Sequence, residues 1–349
     1  MGDRRAKTQA LNQLARLYEQ QQQWGIAQEF NEAALALAQE DGEADLTYRL
    51  LWQLGRLQYA QGQTEEAIVS YTESINTLNT LRNDINTAST EVRFSFRDAV
   101  DPIYRELVSL LLSQDTAETP RPENVVQARN LIESLQLSEL VNFFQTDCDV
   151  TNLAQIDQLD PHSAVIYPVI LSDRLEVIVS LPGQPLKHYA TDFPESTLTT
   201  AAFLIQQELA SPFSQRYLPL AQRLYNAIIR PAEADLNTSN IENLVFVLDG
   251  PLRNIPMSVL HDGDQFLIEK YAIALTPGLQ LFDPQPLQQQ ELEVLLGGLT
   301  EARPGFEALP HVQAEIASIS NTVPSDVLLN DTFLEQNLVT EVESQPFLS

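Results

Sequence analysis

Apolar positions in the N-terminal third of the chain repeat themselves. Leu11, Leu14, Ala15 and Ala27 return 40 residues later as Leu51, Leu54, Gly55 and Ala67, and each set is followed by a second amphipathic run. A pattern of this period predicts helix-turn-helix repeats. Small residues at 15/55 and 27/67 suit them, because a larger side chain there would hold the paired helices apart. Two further helical stretches follow, about Glu91 to Gln114 and Pro122 to Phe144, separated by the polar, proline-containing segment Asp115 to Pro122. They are expected to continue or cap the solenoid.

Past residue 148 the period shortens. Ala164 to Leu171 and Leu175 to Leu181, joined through Ser172-Asp-Arg174, read as a hairpin of β-rich strands. Helices are expected around 195–209 and 218–234. Leu244-Val-Phe-Val-Leu248, ended by Asp249-Gly-Pro251, is a continuous apolar run of the kind buried on both faces in a parallel sheet under helices. Leu292 to Leu296 is expected beside it in the sheet. Val312 to Ile319 then reads as a helix, Asp326 to Leu329 as a short strand and Thr332 to Glu343 as a last helix. The order of elements places an all-α array before an α/β domain. The expected divisions are 1–85 for the repeats, 86–147 for the further helices and 148–349 for the α/β part.

Charge narrows the partners. The 349 residues carry 20 Lys+Arg against 48 Asp+Glu, a formal net charge of −28. Such a chain repels phosphate backbones and anionic membrane surfaces, so nucleic acid and membrane are not expected partners. Met1 to Lys7 is charged and runs into amphipathic helix, unlike a signal peptide. No stretch approaches the roughly 18 apolar residues of a membrane span. With one cysteine, Cys148, there can be no internal disulfide, and a cytoplasmic location is expected. Neither a Gly-x-Gly-x-x-Gly nor a Walker pattern is present, and no Cys/His or EF-hand spacing suggests a metal, so no cofactor is expected.

Three runs in the C-terminal half carry a resemblance: Asn243-Leu-Val-Phe-Val-Leu-Asp-Gly-Pro-Leu-Arg-Asn-Ile-Pro256, Phe266-Leu-Ile-Glu-Lys-Tyr-Ala272 and Gly297-Gly-Leu-Thr-Glu-Ala-Arg-Pro-Gly-Phe-Glu-Ala-Leu-Pro310. In this order they resemble CHAT domains, caspase-like domains found C-terminal to tetratricopeptide repeat (TPR) arrays in many bacterial, especially cyanobacterial, proteins. The N-terminal repeats resemble TPR: Leu14, Ala15, Tyr18, Ala27 and Ala34 fit one repeat, and Leu54, Gly55, Gly62, Ala67 and Tyr71 the next. Gln58, Ser74 and the 40-residue period depart from the TPR pattern. The resemblance implies a multidomain chain, a TPR-like solenoid followed by an α/β/α caspase-like domain, and a cysteine endopeptidase whose array recognises or gates a protein substrate. Its catalytic motifs, His-x-x-Thr-His-Gly and Ser-x-Cys-x-Thr/Ser-Gly, do not occur here. The chain is therefore expected to be a fragment, with an incomplete CHAT domain and no activity of its own. A non-enzymatic TPR scaffold is the alternative.

The residues themselves offer no catalytic assignment. A nucleophilic thiolate needs a positive neighbourhood and an imidazole in reach, whereas Cys148 sits between Asp147 and Asp149. His162, His188, His261 and His311 lie outside any motif of the family. Partner binding is the function expected to remain. By the resemblance, the second, fifth, ninth and twelfth positions of the first helix in each pair face a concave groove: Gln9, Asn12, Arg16 and Glu19, then Arg49, Trp52, Arg56 and Tyr59. Trp, Tyr and Arg dominate interface hot spots, and the reading ranks Trp52, Arg49 and Arg56 above Arg16. The opposing reading packs Trp52 against a neighbouring repeat and pairs the arginines with Asp or Glu.

Overall fold

The computed structural model describes residues 4–85, 90–113, 120–144, 160–211, 213–276, 294–305 and 307–344. Residues 1–284 form one compact unit and 285–349 another.

The first unit begins with two helix pairs, α1 (Arg4–Gln20) with α2 (Trp24–Glu40) and α3 (Ala44–Ala60) with α4 (Thr64–Ile85). The small residues of the repeat sit where the helices meet. Ala15, Ala27 and Ala67 are wholly buried, and a methyl group added at Gly55 would stand 2.6 Å from the ring of Tyr71. The turns between these helices need left-handed backbone, supplied by Gly42 (φ 68°) and Gly62 (φ 77°). Gln22 takes the same conformation (φ 58°) at the first turn, at some cost to a residue with a Cβ.

Helices α5 (Thr90–Leu112) and α6 (Pro122–Phe144) follow, close to the expected bounds. The hairpin of β1 (Ser163–Ile170) and β2 (Leu175–Ser180) is antiparallel and begins a mixed five-stranded sheet of order β3-β2-β1-β4-β5. Strand β3 is Lys187–Thr191, antiparallel to β2; β4 (Asn243–Phe246) and β5 (Ala272–Leu275) run parallel to β1. Between β3 and β4 lie α7 (Glu195–Leu209), α8 (Leu218–Ile228) and the short α9 (Glu233–Thr238); α10 (Leu267–Lys270) precedes β5. The helix expected over 218–234 is broken at Arg230–Ala232, which forms a 3-10 turn around Pro231.

Alternation along β1 explains the two cores. Ala164, Ile166 and Ile170 face a core shared with Leu198, Ile205, Leu224 and Ile228. Val165, Tyr167 and Val169 face the other side, where Ile103, Leu107 and Leu111 of α5 and Ala128 and Ile132 of α6 cover the sheet. That second core runs on into Tyr71, Ile75 and Leu78 of α4. The α5–α6 pair thus shares buried side chains with the repeats on one side and the sheet on the other.

The partner of β4 corrects one expectation. Its neighbours are β1 and β5, and β6 (Val294–Gly298) instead pairs in parallel with β7 (Ser325–Leu329) in the second unit. Strand β5 has four residues directly after a helical turn, too few for a period to stand out. In the second unit α11 (Val312–Ser320) links β6 to β7 and α12 (Glu335–Ser344) follows. Gly298 admits Val312 and Ile316 at 2.8 Å from where a Cβ would stand, and Gly297 makes the same allowance for the ring of Phe333.

Candidate partner-binding groove

Helices α1 and α3 flank a groove of about 840 Å³, lined among others by Gln9, Asn12, Arg16, Arg49, Trp52 and Arg56. Six positions expected from the repeat pattern therefore come together. Tyr59 is 44% exposed on α3 and does not line the groove. Glu19 contributes through its partners. One lining residue, Glu106, comes from α5, outside the repeats, and nothing in its own sequence context marks it.

A polar network crosses the groove floor from α2 to α5. Buried Asn31 donates from Nδ2 to the carbonyl of Leu50 and to Gln53 Oε1 (3.0 Å), and Gln53 Nε2 donates to Glu19 Oε2 (2.8 Å). Glu19 also takes the Nε–H of Arg56 (2.8 Å), and that guanidinium lies 4.7 Å from the centre of the Trp52 ring. Trp52 Nε1 and Tyr71 OH both donate to Glu106 Oε2, at 2.8 and 2.6 Å. Burial, and then the carboxylate of Glu106, push the Tyr71 phenol well above its ordinary range, so it stays a donor. Burial works to lower the Arg56 pKa, but the hydrogen bond it donates to Glu19 and the charge of that carboxylate outweigh it, and Arg56 stays charged.

Availability differs among the arginines. Arg56 is already committed to Glu19 and stacked on Trp52. Arg49 is exposed and donates its Nε–H to Tyr48 OH (2.9 Å); it forms no ion pair among the described residues, although its charge helps hold the Asp45 carboxyl below its ordinary range, after the larger effect of the hydrogen bond from Arg5. Arg16 is exposed and forms no ion pair among the described residues. Of the three groove arginines, Arg56 is thus the one in an ion pair among the described residues.

Directly before Glu106, Arg105 faces the sheet. Its guanidinium grips Asp249, just beyond β4, with Nη1 at 2.6 Å and Nη2 at 3.0 Å, and Nη1 also donates to the carbonyl of Ile170 at the end of β1. Asp249 further accepts the N–H of Ile170 (2.9 Å). Burial works to lower the Arg105 pKa, but the bonds it donates to Asp249, the charge of Asp249 and then the bond to Asp101 outweigh it and hold the guanidinium far above its usual value. A second arginine ties the sheet to the same helix: Arg174 donates to Ser109 on α5 and to the fully buried Glu176.

Three of the four histidines make structural contacts, and the exposed His311 makes no side-chain capping bond. His188 Nε2 lies 2.7 Å from Glu176 Oε2 within the sheet, and His261 Nδ1 accepts the N–H of Gly263 (3.0 Å) beside the ring of Phe266. His162 is 3.4 Å from the carbonyl of Asn240, and His311 precedes α11 as its N-cap residue. Cys148 lies outside the described residues. No described helix is long and apolar enough to cross a membrane.

Paired helices stacked about a groove, then a mixed sheet between helical layers, define a helical repeat array joined to an α/β domain. The family comparisons make this specific: the tetratricopeptide repeat model matches residues 7–80 and the CHAT domain model residues 218–348, so the chain joins TPR repeats to a CHAT domain. Strands β1–β3 and α7 precede the matched CHAT span. No curated protein matches the chain.

Proposed function

We propose that this chain recognises a protein partner in the groove between α1 and α3, and that the CHAT region, held to the array by α5, is the part acted on or positioned by that recognition. TPR repeats generally mediate protein–protein interaction. The observation that carries the proposal is the groove itself, about 840 Å³ with Trp52 fixed in its wall and the exposed Arg16 and Arg49 along it. By its CHAT resemblance the α/β region derives from caspase-like cysteine endopeptidases, and we expect no peptidase activity from these 349 residues, since neither family motif is present. Fluorogenic peptides should not be turned over, and Cys148→Ala should change nothing.

The test of recognition is positional. A photo-crosslinking side chain placed at Asn12, in the groove, should capture the co-purified partner, and the same group at Phe203, 62% exposed on α7, should not. Equal capture from both positions would refute the groove as the binding surface.

A further inference from the structure

Arg105 lies between two carboxylates. Asp249, just beyond β4, takes both of its terminal nitrogens, at 2.6 and 3.0 Å. Asp101, one turn earlier on α5, takes the Nε–H through Oδ2 at 2.7 Å. The other oxygen of Asp101, Oδ1, is buried and has no hydrogen-bond partner among the described residues. A buried acceptor without a donor is destabilising, and the donors that would satisfy it sit on the guanidinium next to it. Directly after Asp101, Pro102 lies inside α5. Proline lacks the N–H of the helical ladder and crowds the carbonyl four residues back, so helices bend at such points. The residue after Arg105 serves the repeats: Glu106 Oε2 accepts from Trp52 and Tyr71. The position of α5 is therefore held from two sides, by the sheet through Arg105 and by the repeats through Glu106.

We infer that Arg105 is a two-position latch: while Glu106 is bonded to the groove wall the guanidinium grips Asp249, and when Glu106 lets go, α5 flexes at Pro102 and the guanidinium turns its terminal nitrogens to Asp101, releasing Asp249 at the strand ends. Charge pairing is kept in both positions, so the step exchanges one carboxylate partner for another without stranding the arginine. In the first position Asp101 Oδ1 lacks a donor. In the second Asp249 loses the two bonds from Arg105 and keeps the N–H of Ile170 (2.9 Å). Unsatisfied acceptors on both sides bring the two positions close in energy, which is what lets a change at Glu106 shift the balance. By linkage, whatever draws Glu106 away from the groove wall loosens the sheet end, and whatever holds Asp249 steadies the groove. Only the trigger rests on the reading of the groove as the recognition surface. The latch is a property of the free chain and is tested without a ligand.

The amide of Ile170 reports on it, because its N–H is donated to Asp249. Hydrogen exchange of the full chain should show this amide exchanging roughly tenfold faster in Glu106→Ala than in wild type. The amide of Val247, bonded to the carbonyl of Ile166, should keep its rate. Adding Asp101→Asn, which takes the charge out of the second position, should return the Ile170 amide close to the wild-type rate although the protein has lost a further ion pair. The isosteric Glu106→Gln should shift the Ile170 rate in the same direction by less, and it serves if the alanine variant does not fold. An Ile170 rate that ignores both changes at Glu106 would overturn the latch. So would equal acceleration at Val247, which assigns the effect to general destabilisation, or acceleration that survives Asp101→Asn. A failed latch leaves the groove and its crosslinking test untouched, and failed capture at Asn12 leaves the latch standing.

Discussion

The repeats and the sheet hold their arginines in different ways. In the repeats, Arg4 reaches Glu40 and Asp41, and Arg5 reaches Glu43 and Asp45, across helix ends where the arginine side chains are 51% and 46% exposed. At the sheet, Arg105 and Arg174 hold Asp249 and Glu176, whose carboxylates are 5% and 0% exposed, and the same guanidiniums also serve backbone carbonyls. Water and salt compete with the first kind and barely reach the second. Exposed pairs decorate a packing that small residues already determine. Buried ones fix which helix lies on which strand, because losing one partner strands a charge.

The largest way to break this contrast is Asp249→Ala, which leaves Arg105 with only the part-exposed Asp101 (2.7 Å) and the Ile170 N–H without its carboxylate acceptor; chemical denaturation should show a loss of about 3 kcal/mol. An effect no larger than that of a surface substitution would place the sheet's pairs in the same class as the repeats'. Trp52→Phe keeps the ring but removes the bond to Glu106, and should cost about 1.5 kcal/mol with helicity unchanged. A loss of helicity there would mean that Trp52 holds the repeats together, as the opposing reading of the sequence had it.

The cluster of Lys270, Glu233 and Asp262 provides an intermediate case, part-buried and titratable. Burial works to raise Glu233, but hydrogen bonds from Lys270, Tyr225 and Arg230 outweigh it and hold its carboxyl below the usual range. Asp262 is held lower still, first by the N–H of Gln265 and then by Asp264 N–H and Lys270. Burial alone would lower Lys270, and its hydrogen bonds to Glu233, Tyr225 and Asp262 raise it instead. A depressed carboxylate contributes stability above its ordinary pKa and loses it as pH falls; a raised lysine contributes below its ordinary pKa and loses it as pH climbs. Lys270→Met should therefore lower the melting temperature between about pH 4 and pH 10 and lose its effect below that window. A difference that persists unchanged at pH 2 would assign the effect to packing. Smallest of all is Arg5→Ala, expected to leave the denaturation midpoint unmoved at physiological salt.

These contrasts also mark what the sequence makes legible. The helix pairs, the β1–β2 hairpin and the buried run of β4 are local patterns, written in spacing and in the size of residues such as Ala15 and Gly55. Six groove positions follow from the resemblance of the repeats to TPR. Which arginine is paired does not, because Glu19 claims Arg56 from another helix, 37 residues away in the chain. Glu106 was invisible for a similar reason: α5 reads as one more amphipathic helix, and only folding shows that it serves the groove. The pairing of β4 with β5 was missed because four residues, Ala272 to Leu275, carry too little pattern against the longer apolar run at 292–296.

Arg105 and Glu106 are neighbours in the chain that serve different structures, one gripping the strand ends and the other completing the groove wall. This bears on any attempt to transplant the repeats. A graft made from the TPR-matched span alone leaves Glu106 behind, and with it the acceptor for the Trp52 indole and the Tyr71 phenol. The groove is assembled from three helices drawn from two places in the chain, so repeats transplanted without a matching α5 lose that part of its wall.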